Sequence, residues 1–329
     1  MSTMRAIAIH QPGPDARLVL ESMPIPVPAA DEVRLRVAYA GLNRADIFQR
    51  QGNYPVPEGA SPILGLEASG WIDALGNGVE HFTLGQEVCA LLAGGGYADY
   101  VCVPAGQVMT LPEGWSLEQA ACLPEAVLTV WLAVIATGGA KAGDTVLIQS
   151  GASGIGAVGI PLLKALGMRV IALARTEEKC AWCLAQGADA ALPYDTPASA
   201  LQQAAGTRGI AVVLDMLGGA YLATALKALA PQGRLVSLAF LNGTDISLPL
   251  GALLMKNLSW HGVTLRSQPI ERKAQLLQEA TRALWPLWSG RTGWRPAIDQ
   301  LYPLENAQKA QIRMEERLHL GKILLRVGA

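Results

Sequence analysis

The chain has 329 residues, of which 51% are hydrophobic and only 16% charged, and its formal net charge is −1. That length exceeds what a single core usually supports, so two domains are expected. So weak a net charge argues against nucleic acid or an anionic membrane surface as a partner. The opening run MRAIAIH is broken by His10 and Pro12, too soon for a signal peptide. No stretch reads as approaching the roughly 20 apolar residues of a membrane span, and a cytoplasmic protein is expected. The five cysteines, Cys89, Cys102, Cys122, Cys180 and Cys183, are scattered and lack the paired spacing of a zinc site or a disulfide framework. They read as reduced core thiols, and the CxxC of Cys180 and Cys183 as helix packing, because no second pair or histidine lies nearby.

In chain order, residues 1 to 122 read as short strands punctuated by Gly and Pro: MRAIAIH, EVRLRVAYAG, SGWIDALG, GQEVCALLA and YADYVCVP. Among them Leu42 to Pro55, LNRADIFQRQGNYP, is a polar island that fits either a surface helix or a substrate-facing loop. From Glu125 to Thr137 an apolar helix is predicted. Buried-strand runs (DTVLIQS, RVIALAR, AALPY, GIAVVLDML, GRLVSLAF) then alternate with helical segments, the signature of a parallel sheet covered on both faces. After Leu258 come LSWHGVTLR, a long helix, an extended IDQLYPL, another helix and a closing GKILLRV. These are too few for a third domain and are expected to complete the first.

The most specific motif is VLIQSGASGIGAVGIPLLKALG. Gly154, Gly156 and Gly159, with Ile155 between the first two, form GxGxxG directly after a strand and open a helix. That context aims backbone N–H groups and the positive helix end at a pyrophosphate. Sites for NAD place an acid at the end of the following strand to meet the ribose 2′-hydroxyl. Here the strand ends in Ala174-Arg175-Thr176, with Lys179 three residues further on, so Arg175, Thr176 and Lys179 suit the 2′-phosphate of NADPH, and Tyr194 after the third strand can frame it.

The blocks GLNRADIFQRQGNYP, GASPILGLEASG, LPEGWSLEQAACLPEAVLT, SGASGIGAVG, MLGG and GKILL resemble, nearly end to end, the zinc-independent quinone oxidoreductases of the medium-chain dehydrogenase/reductase superfamily. The first two blocks are closest to its animal stress-inducible, tumour-suppressor-regulated branch. The resemblance implies an α/β protein: a GroES-like β-barrel domain from residues 1–122 and 266–329, and a Rossmann doubly wound parallel sheet from residues 123–265. Zinc alcohol dehydrogenases of the superfamily take catalytic metal ligands at positions that correspond here to Asn43, Leu66 and about Ala126. Amide, leucine and alanine cannot build a tetrahedral zinc site, and the four-cysteine structural zinc lobe is missing, so no metal is expected.

Without a Lewis acid built from those positions, the implied substrate is one already electrophilic, a quinone, ortho-quinones foremost, or an enone. The protein then supplies orientation and a hydrogen-bond donor for the developing oxyanion. The resemblance places the Tyr54 loop at the cleft, which makes Tyr54 the first candidate donor. Ser153, inside the glycine turn with its hydroxyl able to face the pyrophosphate or the nicotinamide edge, is the second, and Asn43 and Arg44 hold the cofactor or line the same cleft. Gly218 and Gly219 fall beneath the cofactor. Ala239, Phe240, Leu265, Arg266 and Ser267 line the nicotinamide pocket, and Arg317 reaches the adenosine phosphate. A homodimer through an edge of the parallel sheet is also implied. A 2-alkenal or enoyl reductase on the same NADPH site, and a low-turnover NADPH-binding sensor or structural protein, are the competing readings.

Overall fold

The structure is a computed structural model that describes residues 2–248, 250–290 and 293–328. The chain divides into two compact units, Met1–Glu125 with Arg266–Ala329, and Ala126–Leu265.

The first unit opens with β1 (Thr3–His10) and β2 (Arg17–Pro24), an antiparallel hairpin pairing Thr3 with Pro24 through to His10 with Arg17. The sequence reading does not include β2, because its residues are all exposed or half-buried and no apolar face marks it. Then come β3 (Glu32–Gly41), α1 (Arg44–Arg50), β4 (Glu67–Leu75), β5 (Glu87–Leu91), β6 (Tyr100–Pro104), β7 (Val108–Thr110) and α2 (Leu117–Ala120). The three-residue β7 is likewise absent from that reading.

A helix α3 (Pro124–Val130) crosses into the second unit and continues as π-helical turns over Trp131–Thr137, a wider winding often found near functional sites. The whole stretch Leu117–Thr137 is long and apolar enough to cross a membrane, contrary to the expectation above, but 78% of its most apolar window is buried inside the fold. It is apolar because it is core.

The second unit continues with β8 (Thr145–Ile148), α4 (Gly154–Ala165), β9 (Arg169–Ala174), α5 (Glu177–Ala185), β10 (Ala190–Pro193), α6 (Ala198–Ala205), β11 (Ile210–Asp215), α7 (Tyr221–Ala228), β12 (Leu229–Ser237), α8 (Gly251–Met255) and β13 (Ser259–Gly262). These strands form one parallel sheet in the order β10-β9-β8-β11-β12-β13. The order reverses between β8 and β11, the switch point where doubly wound sheets bind their ligands. One helix is shorter than its sequence pattern suggests: LAPQG belongs to β12, because Pro231 cannot continue a helix. Gln232 there takes a φ of 62°, and the register jumps between Ile210 opposite Leu229 and Val212 opposite Arg234.

The chain then returns to the first unit with α9 (Ile270–Trp288), β14 (Ile298–Pro303), α10 (Ala307–Glu315) and β15 (Lys322–Arg326). Strand β15 lies between β14 and β3 in the sheet β14-β15-β3-β4-β5-β7, with β6 also paired to β3. The trailing segments therefore complete the sheet of the first unit. Its core packs Val33, Leu35, Val37, Ile72, Ile323 and Leu325 from these strands.

Candidate active site

In the first unit the polar island becomes α1, and most of its polarity is directed inward. Asp46 is 1% exposed and accepts from the Asn43 N–H (2.8 Å), the Gly65 N–H (3.1 Å) and the Tyr97 hydroxyl (3.1 Å). Burial pushes its carboxyl up to about 6, with those bonds acting against the rise. Gln49 donates to the Pro62 carbonyl, Arg44 to the Met314 carbonyl, and Arg50 pairs with Glu315. The helix is polar because its side chains tie three distant segments together.

Asn43 joins a second, deeper cluster. Glu67 and Lys322, 0% and 1% exposed in their side chains, form a buried ion pair. Glu67 Oε1 also accepts from Asn43 Nδ2 (3.0 Å), and its Oε2 from the Glu125 backbone N–H (2.9 Å). Lys322 Nζ donates further to Asn43 Oδ1 (3.1 Å) and the Leu42 carbonyl (3.3 Å), which fills all three ammonium donors. Burial alone would lower the lysine; the Glu67 charge reverses this and holds it above its ordinary value. Room for the carboxylate comes from Gly41, where a Cβ would run into the Glu67 side chain. At the start of α3, burial and the neighbouring Glu67 push the Glu125 carboxyl up to about 8, so it is mostly protonated at neutral pH.

This chemistry does not fit a zinc ion. The one carboxylate of the set is neutralised by an ammonium, and Leu66 and Ala126 are apolar and buried. The thiols of Cys89 and Cys122 are pushed well above their ordinary value, first by burial, and stay protonated. Among the described residues no group of three His, Cys, Asp or Glu could hold a metal.

Tyr54, half-buried, has the Arg266 guanidinium over its ring at 5.1 Å from the centroid. The contact is with Arg266 and not only with the neighbouring prolines. Burial, then Glu125, raises the phenol. Tyr54 also lines a cavity of about 860 Å³ with Met4, Ile7, Met23, Val56 and Ile63. Arg317 is exposed just past α10, with a left-handed φ of 59°.

In the second unit the glycine turn follows β8. A Cβ on Gly156 would collide with the Gly151 carbonyl, and one on Gly159 would press on Val130 at 3.1 Å. Gly156 thus keeps the turn tight and Gly159 seats α4 on its neighbours. Ser153 caps α4, its Oγ accepting from the Gly156 N–H at 3.3 Å, while Gly154 and Ile155 form the first turn whose amides point outward. The hydroxyls of Ser150 and Tyr194 meet at 3.1 Å, and Ser150 takes a left-handed φ of 56°, strained for a residue with a side chain. Tyr194 feels the positive charge of Arg175. Thr176 caps α5 by accepting from the Lys179 N–H at 3.2 Å. Arg175, Thr176, Lys179, Tyr194 and Ser150 therefore belong to one corner beside the glycine turn, chemically suited to a phosphate.

The MLGG turn is held by buried side chains that carry no signal in the sequence. Gln149 accepts from the N–H groups of Met216 and Leu217, both at 3.2 Å, and Asp215 from those of Leu217 (3.1 Å) and Gly218 (3.0 Å). Gly218 has a φ of 63°, and a Cβ there would meet the Phe240 ring at 2.6 Å, so these two predicted residues pack together. Leu265 is 5% exposed and ends the unit. Lys322 and Glu125 are also absent from the sequence reading, although a lysine inside a strand pattern is a signal, since an ammonium there must find a buried partner.

A glycine turn at the head of a doubly wound sheet, joined to a unit of the kind described, defines a nicotinamide-dependent oxidoreductase fold. Residues 29–113 match the alcohol dehydrogenase GroES-like domain family, and residues 154–282 the zinc-binding dehydrogenase family. Quinone oxidoreductase-like protein 2 of Bos taurus is 31% identical over 94% of this chain and 88% of its own length. A 2-haloacrylate reductase of Burkholderia sp is 28% identical over 97% of this chain and 98% of its own. The quinone oxidoreductase of Thermus thermophilus, whose structures include its complex with NADPH, superposes with a TM-score of 0.80 at 32% identity, covering 98% of this chain and 100% of the other. The chain belongs to the quinone oxidoreductase-like family of the medium-chain dehydrogenase/reductase superfamily.

Proposed function

We propose that the protein is an NADPH-dependent, zinc-independent reductase that transfers hydride to quinones, ortho-quinones foremost, or to related electrophilic carbonyls. The observation that carries this reading is the closed cluster of Glu67, Lys322 and Asn43. Asn43, at one of the three positions that the resemblance aligns with zinc ligands, is tied to a buried ion pair, and the other two positions, Leu66 and Ala126, are apolar and buried. Substrates that need no metal to polarise them follow from that arrangement. NADPH would be held by Gly154, Ile155 and Gly156 at its pyrophosphate, by Arg175, Thr176, Lys179 and Tyr194 at its 2′-phosphate, and by Gly218, Phe240 and Leu265 towards the nicotinamide. When bound, it supplies the hydride. Tyr54 and Ser153 would donate hydrogen bonds to the substrate oxygen, Arg317 would assist at the adenosine end, and Asn43, with one N–H unused by the cluster, would border the nicotinamide.

A cytoplasmic homodimer fits the same reading. The edge strand β13 is exposed at all four residues, and Trp260, Leu254 and Met255 beside it are 40%, 76% and 81% exposed, an apolar edge that a second copy would cover.

The test is an NADPH-oxidation screen over ortho-quinones, para-quinones and 2-alkenals, run beside elemental analysis. Turnover greatest with ortho-quinones and no stoichiometric zinc is expected, with both Tyr54→Phe and Ser153→Ala lowering the rate. Stoichiometric zinc, or tight NADPH binding without turnover on any carbonyl, overturns it. The 2-haloacrylate reductase among the relatives favours a second reading, an enoyl or alkenal reductase, identified by faster turnover of 2-alkenals than of quinones.

A further inference from the structure

Arg266 is buried to 7% exposure, yet it makes no ion pair among the described residues. Its Nε and Nη2 both donate to the Ala93 carbonyl, at 3.1 and 2.7 Å, which clamps one edge of the guanidinium to the Gly-rich bend after β5. The other edge is different: Nη1 is buried and has no hydrogen-bond partner. A buried charged donor left unsatisfied destabilises a fold, so native structures retain one chiefly where something else completes it.

The surroundings narrow what that is. The guanidinium lies over the ring of Tyr54, whose loop is exposed at Gly52, Asn53 and Pro55 and so offers an approach from solvent. The acids that act on Arg266 are Asp46 and Glu125. Asp46 already accepts bonds from Asn43, Gly65 and Tyr97, and Glu125 is mostly protonated at neutral pH, its carboxyl pushed up to about 8 by burial. Lys273, 6% exposed, adds a second positive charge beside Glu125. Burial lowers Arg266 from its ordinary value, and a guanidinium keeps its charge in proteins. The free edge therefore carries a buried positive charge with an unused donor, which suits an anionic oxygen and repels a cation.

We propose that Arg266 is a catalytic residue, its Nη1 together with the Tyr54 hydroxyl binding the carbonyl oxygen of a conjugated substrate as negative charge builds on it. This rests on the reductase reading above. In an enone, hydride adds its electron pair to the β-carbon and the displaced π pair moves through the conjugated system onto the oxygen, giving an enolate held by Arg266. In an ortho-quinone it adds to one carbonyl oxygen, the π pair of that C=O becomes the new ring C=C, and the π pair of the second C=O moves onto its own oxygen, giving a phenolate held in the same way. A proton from solvent completes the reduced product, and the oxidised nicotinamide is the other product. Placed this way, the guanidinium supplies in the transition state the charge stabilisation that a metal gives zinc relatives.

The test compares Arg266→Met and Arg266→Lys with the parent, using 9,10-phenanthrenequinone and 2-cyclohexenone as substrates and nicotinamide fluorescence to follow NADPH binding. Arg266→Met should lose about 100-fold in kcat, the effect of removing one oxyanion donor, with NADPH affinity within twofold. Arg266→Lys should retain part of the rate, and added methylguanidine should restore Arg266→Met saturably, which a packing role would not allow. A kcat within threefold of the parent in Arg266→Met overturns the assignment, as does a loss that methylguanidine leaves unchanged while near-ultraviolet circular dichroism is native. Should Arg266→Met not fold, Arg266→Lys and the guanidine-free parent carry the comparison, and equal kcat in the two overturns it. If the parent itself reduces no quinone or enone, the reductase reading fails. Titration with 4-nitrophenolate then decides the oxyanion pocket alone: a spectral shift in the parent that Arg266→Lys weakens supports it, and no binding overturns it.

Discussion

The glycine turn of the second unit and the buried cluster of the first solve opposite problems. The turn binds by leaving backbone N–H groups open, and its side chains are small so that the chain can bend and a ligand can approach. The cluster does the reverse: Glu67, Lys322 and Asn43 turn their polar atoms on one another until the ammonium has no donor left. One region keeps donors open at the protein surface; the other satisfies its polar atoms internally. A buried carboxylate can thus be held without a metal, provided a fixed positive charge lies against it.

The sharpest way to break this contrast is Lys322→Met. It leaves the Glu67 carboxylate buried without its cation and should destabilise the protein by about 3–5 kcal/mol in urea denaturation. The double variant Glu67→Gln with Lys322→Met should recover most of that loss; a single-variant cost under about 1 kcal/mol would mean the cluster is dispensable. Next in size, Gly156→Val should force the turn out of shape, because its side chain would meet the Gly151 carbonyl, and weaken NADPH by at least about tenfold, some 1.4 kcal/mol, measured by fluorescence titration, with a lowered Tm beside it; unchanged affinity would mean that the turn does not hold the cofactor. Smaller again, combining Arg175→Ala with Tyr194→Phe should reduce the preference for NADPH over NADH in kcat/KM by about fivefold to tenfold. A preference left intact would place 2′-phosphate recognition elsewhere.

A separate effect is on pH dependence. The Glu125 carboxyl is raised from an ordinary value of 4.5 to about 8, so across that window the folded protein holds a proton that the unfolded chain releases. Stability conferred by the protonated form is complete below about 4.5 and falls as pH rises to 8, with a slope of at most about 1.4 kcal/mol per pH unit for one proton. Glu125→Gln should flatten that part of the stability curve; an unchanged slope would show that Glu125 ionises normally.

The two regions also differ in how far the sequence reveals them. The glycine turn is contiguous, its spacing is dictated by backbone geometry, and the doubly wound sheet follows from alternating segments around it. The corner beside it is legible through Arg175 and Tyr194, whereas Ser150 is not, because nothing in its neighbours announces a left-handed φ. The cluster joins residues 43, 67, 125 and 322, and no local pattern links positions so far apart. Asn43 stands out in the sequence only against the positions of zinc relatives, and the ion pair it joins is invisible until β15 pairs with β3. The polar helix α1 teaches the same lesson: its composition fits a surface helix or a substrate-facing loop, yet Asp46, Gln49 and Arg50 are engaged within the unit.

The insertion of β15 between β14 and β3 has a consequence for synthesis on the ribosome. Glu67 must wait for a lysine 255 positions later, and in the interval the continuous stretch Ala126–Leu265 emerges whole and can fold as a unit. The first unit meanwhile carries an acid destined for burial and an open edge on β3, because β14 and β15 are both still to come. Covering that edge with late strands makes the first unit the slower to mature, and it is the stage at which a nascent chain most needs protection from strand-to-strand aggregation.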